Sequence, residues 1–175
     1  RFGWNMNIIK NNDTFNLEQA KEKINKWLCY NFGDDSSELH YSKIVPRCYA
    51  EEYLEDNNNN KLTDYKFWCF NGVVKFCNVY CEHGNNYYDL NFKLLNISNL
   101  YAPADFNKKY DKPINFNKMI EYANVLCKDF KFVRIDFYEA NNKVYLGEMT
   151  FTPGNGFMKY EKRETDLYLG SLLKL

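Results

Sequence analysis

The sequence predicts an α+β fold in which a mainly antiparallel sheet carries flanking helices. Three observations lead there. The chain has 15 Tyr and 14 Phe in 175 residues, a composition that favours strands. Two pairs of β-rich runs are each joined by a turn signal, Asn71-Gly72 in one and Glu139-Ala140-Asn141-Asn142-Lys143 in the other. From Phe116, the apolar residues Met119, Ile120, Ala123, Leu126 and Phe130 recur at helical spacing.

Taken in order, residues 6–10 read as a short strand. Asp13-Thr14 precedes a helix whose stripe is Leu17, Ala20, Ile24, Trp27 and Leu28. A polar loop with Gly33-Asp34-Asp35-Ser36-Ser37 follows. Residues 44–54 read as a strand interrupted by Pro46 and ending in an acidic run, and residues 57–60 as an exposed tip. Asp64–Phe70 and Val73–Cys81 form the first hairpin, and residues 87–95 a further extended segment. Residues 95–113, with Pro103 and Pro113, follow no period. The Phe116 helix should end near Asp129, and a hairpin follows at once. A loop with Pro153, Gly154 and Gly156 then leads to a short helix around residues 167–173. No internal repeat or interior linker divides the chain, so one lobe with appended helices is expected.

Composition narrows the function. The 23 basic and 23 acidic residues cancel, which removes the broad positive footprint of a nucleic-acid binder. No run of about 18 apolar residues exists to span a membrane, and the first residues read as a loop rather than a signal peptide. The cysteines at 29, 48, 69, 77, 81 and 127 sit in apolar segments without zinc-ligand spacing; small buried thiols in a reducing cytoplasm are expected. Asparagine is abundant and predicts nothing by itself.

The chemistry gathers on the second hairpin. Asp136 lies in Phe132-Val133-Arg134-Ile135-Asp136-Phe137-Tyr138, and Glu148 in Tyr145-Leu146-Gly147-Glu148-Met149-Thr150. Acidic side chains on apolar strands are costly to bury unless paired or metal-bound. Period-two alternation puts Arg134 on the face of Asp136. Arg134, Asp136 and Glu148 would thus converge, as a Mg²⁺-nucleotide site requires. The plainer alternative pairs both carboxylates with Arg134 and Lys143 across an exposed hairpin. His83, in Cys81-Glu82-His83-Gly84-Asn85, reads as a loop histidine, and His40 has no evident partner.

These residues carry a resemblance. Arg134-Ile135-Asp136-Phe137 and Gly147-Glu148-Met149-Thr150-Phe151-Thr152-Pro153-Gly154 resemble the metal-binding end of ATP-grasp ligases. In D-alanine–D-alanine ligases the matching pattern is Arg-x-Asp-Phe, then Glu-x-Asn-x-x-Pro-Gly. Four blocks in order resemble the TupA-like ATP-grasp family of teichuronopeptide and surface-polysaccharide gene clusters. They are Glu51-Glu52-Tyr53-Leu54, Asp64-Tyr65-Lys66-Phe67-Trp68-Cys69-Phe70-Asn71-Gly72, Val133-Arg134-Ile135-Asp136 and Gly147-Glu148-Met149-Thr150-Phe151. The match covers most of the chain.

The resemblance implies an ATP-grasp-like C-terminal lobe. Residues 1–50 would be the tail of the first ATP-grasp subdomain and 51–175 the second, with the nucleotide and metal site. The implied cofactors are ATP and Mg²⁺, with Asp136 and Glu148 as metal ligands. Arg134 would steady the transferring phosphoryl group or an oxyanion, and Lys66 would reach a phosphate. Glu51, Glu52, Tyr53 and Leu54 would form the hinge strand against adenine and ribose. The implied reaction joins a carboxylate to an amine through an acyl phosphate, on small-molecule or glycan-linked substrates in the cytoplasm.

Two departures stand out. Thr150 occupies the position of the third metal ligand, usually asparagine, with Asn155 nearby but off-pattern. Arg1-Phe2-Gly3-Trp4-Asn5 looks like the tail of the family's phosphate-covering loop, so an N-terminally incomplete match is expected. A partial, non-catalytic lobe that binds nucleotide or packs on a partner is the alternative. A two-carboxylate Mg²⁺ phosphohydrolase ranks behind both, lacking the usual His and Asp clusters.

Overall fold

The computed structural model describes residues 6–9, 15–30, 33, 39–55, 62–81 and 84–174. Its contacts divide the chain into two units, Arg1–Leu54 and Glu55–Leu175.

In the first unit, helix α1 spans Leu17–Leu28 and is capped by Asn16, whose side chain accepts from the Gln19 amide at 3.0 Å. Such a cap satisfies one of the amides that a helix start leaves without a partner. The helix buries Ala20 and half-buries Ile24, Trp27 and Leu28, while Leu17 at the head of the expected stripe is exposed. Asp13 and Thr14 lie outside the described residues. A short 3₁₀ turn spans Leu39–Lys43. Neither residues 6–9 nor residues 44–54 form the expected strands; both are irregular. Val45 and Tyr49 are 70% and 79% exposed, and a strand exists only where a neighbour takes its backbone hydrogen bonds. The polar loop at 34–37 and the tip at 57–60 lie outside the described residues.

The second unit is built on a five-stranded antiparallel sheet. Its strands are β1 (Asp64–Phe70), β2 (Val73–Cys81), β3 (Gly84–Tyr88), β4 (Phe132–Ala140) and β5 (Lys143–Thr150), in the order β3-β2-β1-β4-β5. Both expected hairpins form. Asn71 and Gly72 have φ of 50° and 74°, and Asn141 and Asn142 have φ of 50° and 61°, the left-handed pairs that tight hairpins need. The Asn71 and Gly72 amides also donate to the Lys131 and Phe130 carbonyls. Helices α2 (Phe116–Cys127) and α3 (Arg163–Ser171) flank the sheet. The helix α2 ends near its expected limit; α3 begins earlier than expected. The segment at 87–95 is only partly strand. Beyond Tyr88 the chain reverses at Asp89, whose carboxylate accepts from the Asn91 and Lys93 amides.

Alternation divides the sheet into two faces. Phe67, Cys69, Cys77, Val79, Val133, Ile135 and Phe137 pack on Phe116, Met119, Ala123 and Cys127 of α2. Full burial of side chains such as Phe116 and Met119 contributes about 1.5–3 kcal/mol each. The opposite face has an aromatic end, where Trp68, Phe70, Phe76 and Tyr87 pack with Leu169 of α3, and a charged end. Asparagines fix the irregular stretch beside this sheet. Asn86 donates to the Asp105 and Lys108 carbonyls at 2.8 Å, and Asn99 accepts from the Tyr101 and Ala102 amides. Among the described residues, no helix is long and apolar enough to cross a membrane.

Candidate functional site

The charged end of the second face is assembled by register. Lys66 of β1 stands opposite Asp136 of β4, and Asp136 stands opposite Glu148 of β5. Arg134 faces Thr150 in the same ladder. Directly opposed residues on a sheet bring their Cβ atoms within about 5 Å, so three strands deliver these side chains to one place.

Asp136 is the hub, with only 2% of its side chain exposed. Arg134 grips it with both arms: Nε donates to Oδ1 at 2.7 Å and one terminal nitrogen to Oδ2 at 2.8 Å. Lys66 Nζ donates to Oδ2 at 2.8 Å. The same terminal nitrogen of Arg134 donates to Thr150 Oγ1 at 3.0 Å and lies 3.7 Å from Glu148 Oε2. Burial by itself would lower the Arg134 pKa; the charges of Asp136, Glu148 and Asp64 outweigh it and hold the guanidinium above its ordinary value. Tyr138 is pushed up by burial first and then by Asp64, Asp136 and Glu148. Glu148 is half exposed, at 49%.

Lys66, Arg134, Asp136, Glu148 and Thr150 therefore come together. The surface pairing with Lys143 does not describe Asp136, which is buried and paired with Arg134 and Lys66. Asp64 joins the cluster as a residue that motif reading passes over. Its Oδ2 lies 3.2 Å from Lys66 Nζ, and alternation from Lys66 is the sequence signal that places it there. Asn155 sits in the turn Pro153–Gly156 with φ 58°, past the end of β5 and off the strand face that carries Glu148 and Thr150. Glu51, Glu52, Tyr53 and Leu54 belong to the first unit, in the irregular 44–54 segment instead of a hinge strand; Glu51 and Glu52 are exposed. His83 lies outside the described residues.

Among the described residues, no three His, Cys, Asp or Glu side chains form a closed metal cluster. The donor set nonetheless fits Mg²⁺. That ion takes oxygen ligands and commonly uses only one or two carboxylates, leaving its other positions to water and phosphate. Asp136 and Glu148 stand on adjacent strands and could supply those carboxylates, with Lys66 and Arg134 beside them as positive charge that phosphate oxygens could meet.

A family model described as TupA-like ATPgrasp matches residues 5–174. No curated protein and no solved structure matches the chain. Proteins of the ATP-grasp superfamily generally bind ATP and Mg²⁺. With the antiparallel sheet, its helices and a match over nearly the whole sequence, the chain belongs to the TupA-like ATP-grasp family.

Proposed function

We propose that this chain binds Mg-ATP at the Lys66–Asp136–Glu148 face and takes part in joining a carboxylate to an amine. The observation that carries the reading is the register pair Asp136–Glu148, flanked by two cations, in a chain of this family. Bound Mg²⁺ would neutralise phosphate charge and leave the terminal phosphoryl group open to a carboxylate oxygen. Asp136 and Glu148 would hold the ion, with the Thr150 hydroxyl as a weaker neighbouring oxygen. Arg134, locked by its fork on Asp136, would present charge where an oxyanion develops. Lys66, a compact cation on a flexible stem, would meet phosphate oxygens. Electrostatics and positioning carry such a reaction, and no nucleophilic side chain is required. The acid and amine would be small or glycan-linked molecules of cell-surface polysaccharide assembly, acted on in the cytoplasm where ATP is supplied.

Two observations favour a second reading, a lobe that binds nucleotide without catalysis. Both oxygens of Asp136 already accept from charged donors, and Thr150 stands where the family's third ligand is usually asparagine. Calorimetry with Mg-ATP tests the site. The parent chain should bind, and Asp136→Asn and Glu148→Gln should each bind at least tenfold more weakly. Equal binding by all three defeats the metal-site assignment, and no binding by the parent defeats both readings. ADP release on adding carboxylate and amine candidates separates ligase from binding lobe.

A further inference from the structure

Lys66 Nζ is shared between two carboxylates, 2.8 Å from Asp136 Oδ2 and 3.2 Å from Asp64 Oδ2. Asp64 is only 13% exposed, and its second oxygen, Oδ1, is buried with no hydrogen-bond partner among the described residues. A buried carboxylate with an unfilled acceptor carries a desolvation cost that native structures generally avoid. The two cations on Asp136 differ in freedom. Arg134 is fixed by a two-pronged contact and by Thr150, whereas a lysine ammonium is a point charge with rotatable donors. Lys66 is the one that can shift.

The charges give the shift a purpose. Asp64, Asp136 and Glu148 carry three negative charges against two positive on Lys66 and Arg134, a net of one negative. Without Asp64 the cluster would be neutral, and Asp136 alone would hold Lys66. A divalent cation would then have to displace an ammonium that had nowhere else to go.

We propose that Asp64 is a positioning residue that acts through Lys66: it is the alternative counter-ion that draws the ammonium off Asp136 when a divalent cation binds there. The inference rests on the divalent-cation role given above to Asp136 and Glu148. Asp64 need not touch the ion.

Mn²⁺ alone, without nucleotide, is the probe, and its binding to the full chain is read from the electron paramagnetic resonance signal of free Mn²⁺. The parent should bind. Asp64→Asn should weaken binding at least tenfold, and Asp64→Glu should stay within threefold of the parent. In a Lys66→Met background, Asp64→Asn should change the affinity by no more than threefold. A ligand role or a general electrostatic contribution of Asp64 would act equally in both backgrounds, so this cycle isolates the coupling to Lys66. A tenfold loss in both backgrounds, or in neither, overturns the inference and leaves the metal site standing. Absence of Mn²⁺ binding by the parent overturns the metal site and the inference together. Circular dichroism melts identify any variant that fails to fold. If the single Asp64→Asn is such a variant, Asp64→Ser takes its place in both backgrounds, and the same outcomes decide.

Discussion

Lys66 and Asp136 meet across the β1–β4 ladder at 2.8 Å, so the buried carboxylate is tied to a second hairpin as well as to Arg134 of its own strand. Asp136→Asn would leave Lys66 and Arg134, 14% and 15% exposed, without their main partner. Removing one member of a buried ionic group costs about 3–5 kcal/mol. The lower end is expected, because Lys66 keeps Asp64 and Arg134 keeps Glu148. Glu148→Gln, at a half-exposed site, should cost less than about 1 kcal/mol. Urea unfolding should thus separate the two variants, while calorimetry with Mg-ATP should show both impaired. Equal unfolding midpoints would contradict the hub role of Asp136.

Arg134→Lys tests geometry at constant charge. An ammonium cannot reproduce the fork that spans both Asp136 oxygens and reaches Thr150 Oγ1. A loss of about 1.5–3 kcal/mol is expected, the scale of a hydrogen bond to a charged group. The measurement is the shift in urea midpoint at unchanged slope.

Most of this sheet is legible in the sequence. The turn at Asn71-Gly72 and the spacing from Phe116 to Leu126 each encode structure locally, through a left-handed backbone pair and a helical stripe. The strand expected at 44–54 fails because its apolar residues find no partner edge, a non-local condition that no local pattern records. The stretch at 95–113 has no period because side-chain hydrogen bonds, some from within it and some from β3, order it in place of a repeating backbone pattern. Asn85, for example, donates to the Ala102 carbonyl, and Ser98 accepts from the Ala104 amide. The convergence of Arg134, Asp136 and Glu148 was readable from alternation plus one hairpin. The contribution of Lys66 to that same point required the β1–β4 pairing, which joins segments separated by the whole of β2, β3 and α2.

Alkaline pH should destabilise the fold. Burial is the main cause that raises the pKa of Cys69 and Cys77 above the ordinary value of 9.0, and of Tyr138 and Tyr87 above 10.0. For groups with a raised folded pKa, the stabilisation is complete below the unfolded value. It is lost as pH climbs from that value toward the folded one. Stability from these groups should hold up to about pH 8, then fall by roughly 1.4 kcal/mol per thiol for each pH unit above 9. Urea midpoints between pH 7 and 10.5 measure this. The Cys69→Ala/Cys77→Ala variant should start less stable at pH 7 and lose less between pH 9 and 10.5. A parallel fall in parent and variant would remove the thiols as the cause.

Gly147 is the residue that lets β5 deliver Glu148. In the β4–β5 ladder Asp136 pairs with Glu148 and Phe137 with Leu146, so Gly147 is the extra residue of a bulge. A Cβ there would come within 2.4 Å of Tyr138 Cε2 and 3.1 Å of Cδ2. Tyr138 stands opposite Asp64 and borders the charged cluster, so a shift of its ring acts on that cluster. Gly147→Ala should cost about 1–3 kcal/mol, the usual range for overpacking, and should weaken Mg-ATP binding by moving Glu148. The clash predicts a specific non-additivity. In a Tyr138→Ala background the ring is gone, and Gly147→Ala should become nearly neutral in the urea midpoint while Glu148 keeps its place. If the alanine is equally damaging in both backgrounds, the glycine is required by the backbone of the bulge rather than by the ring.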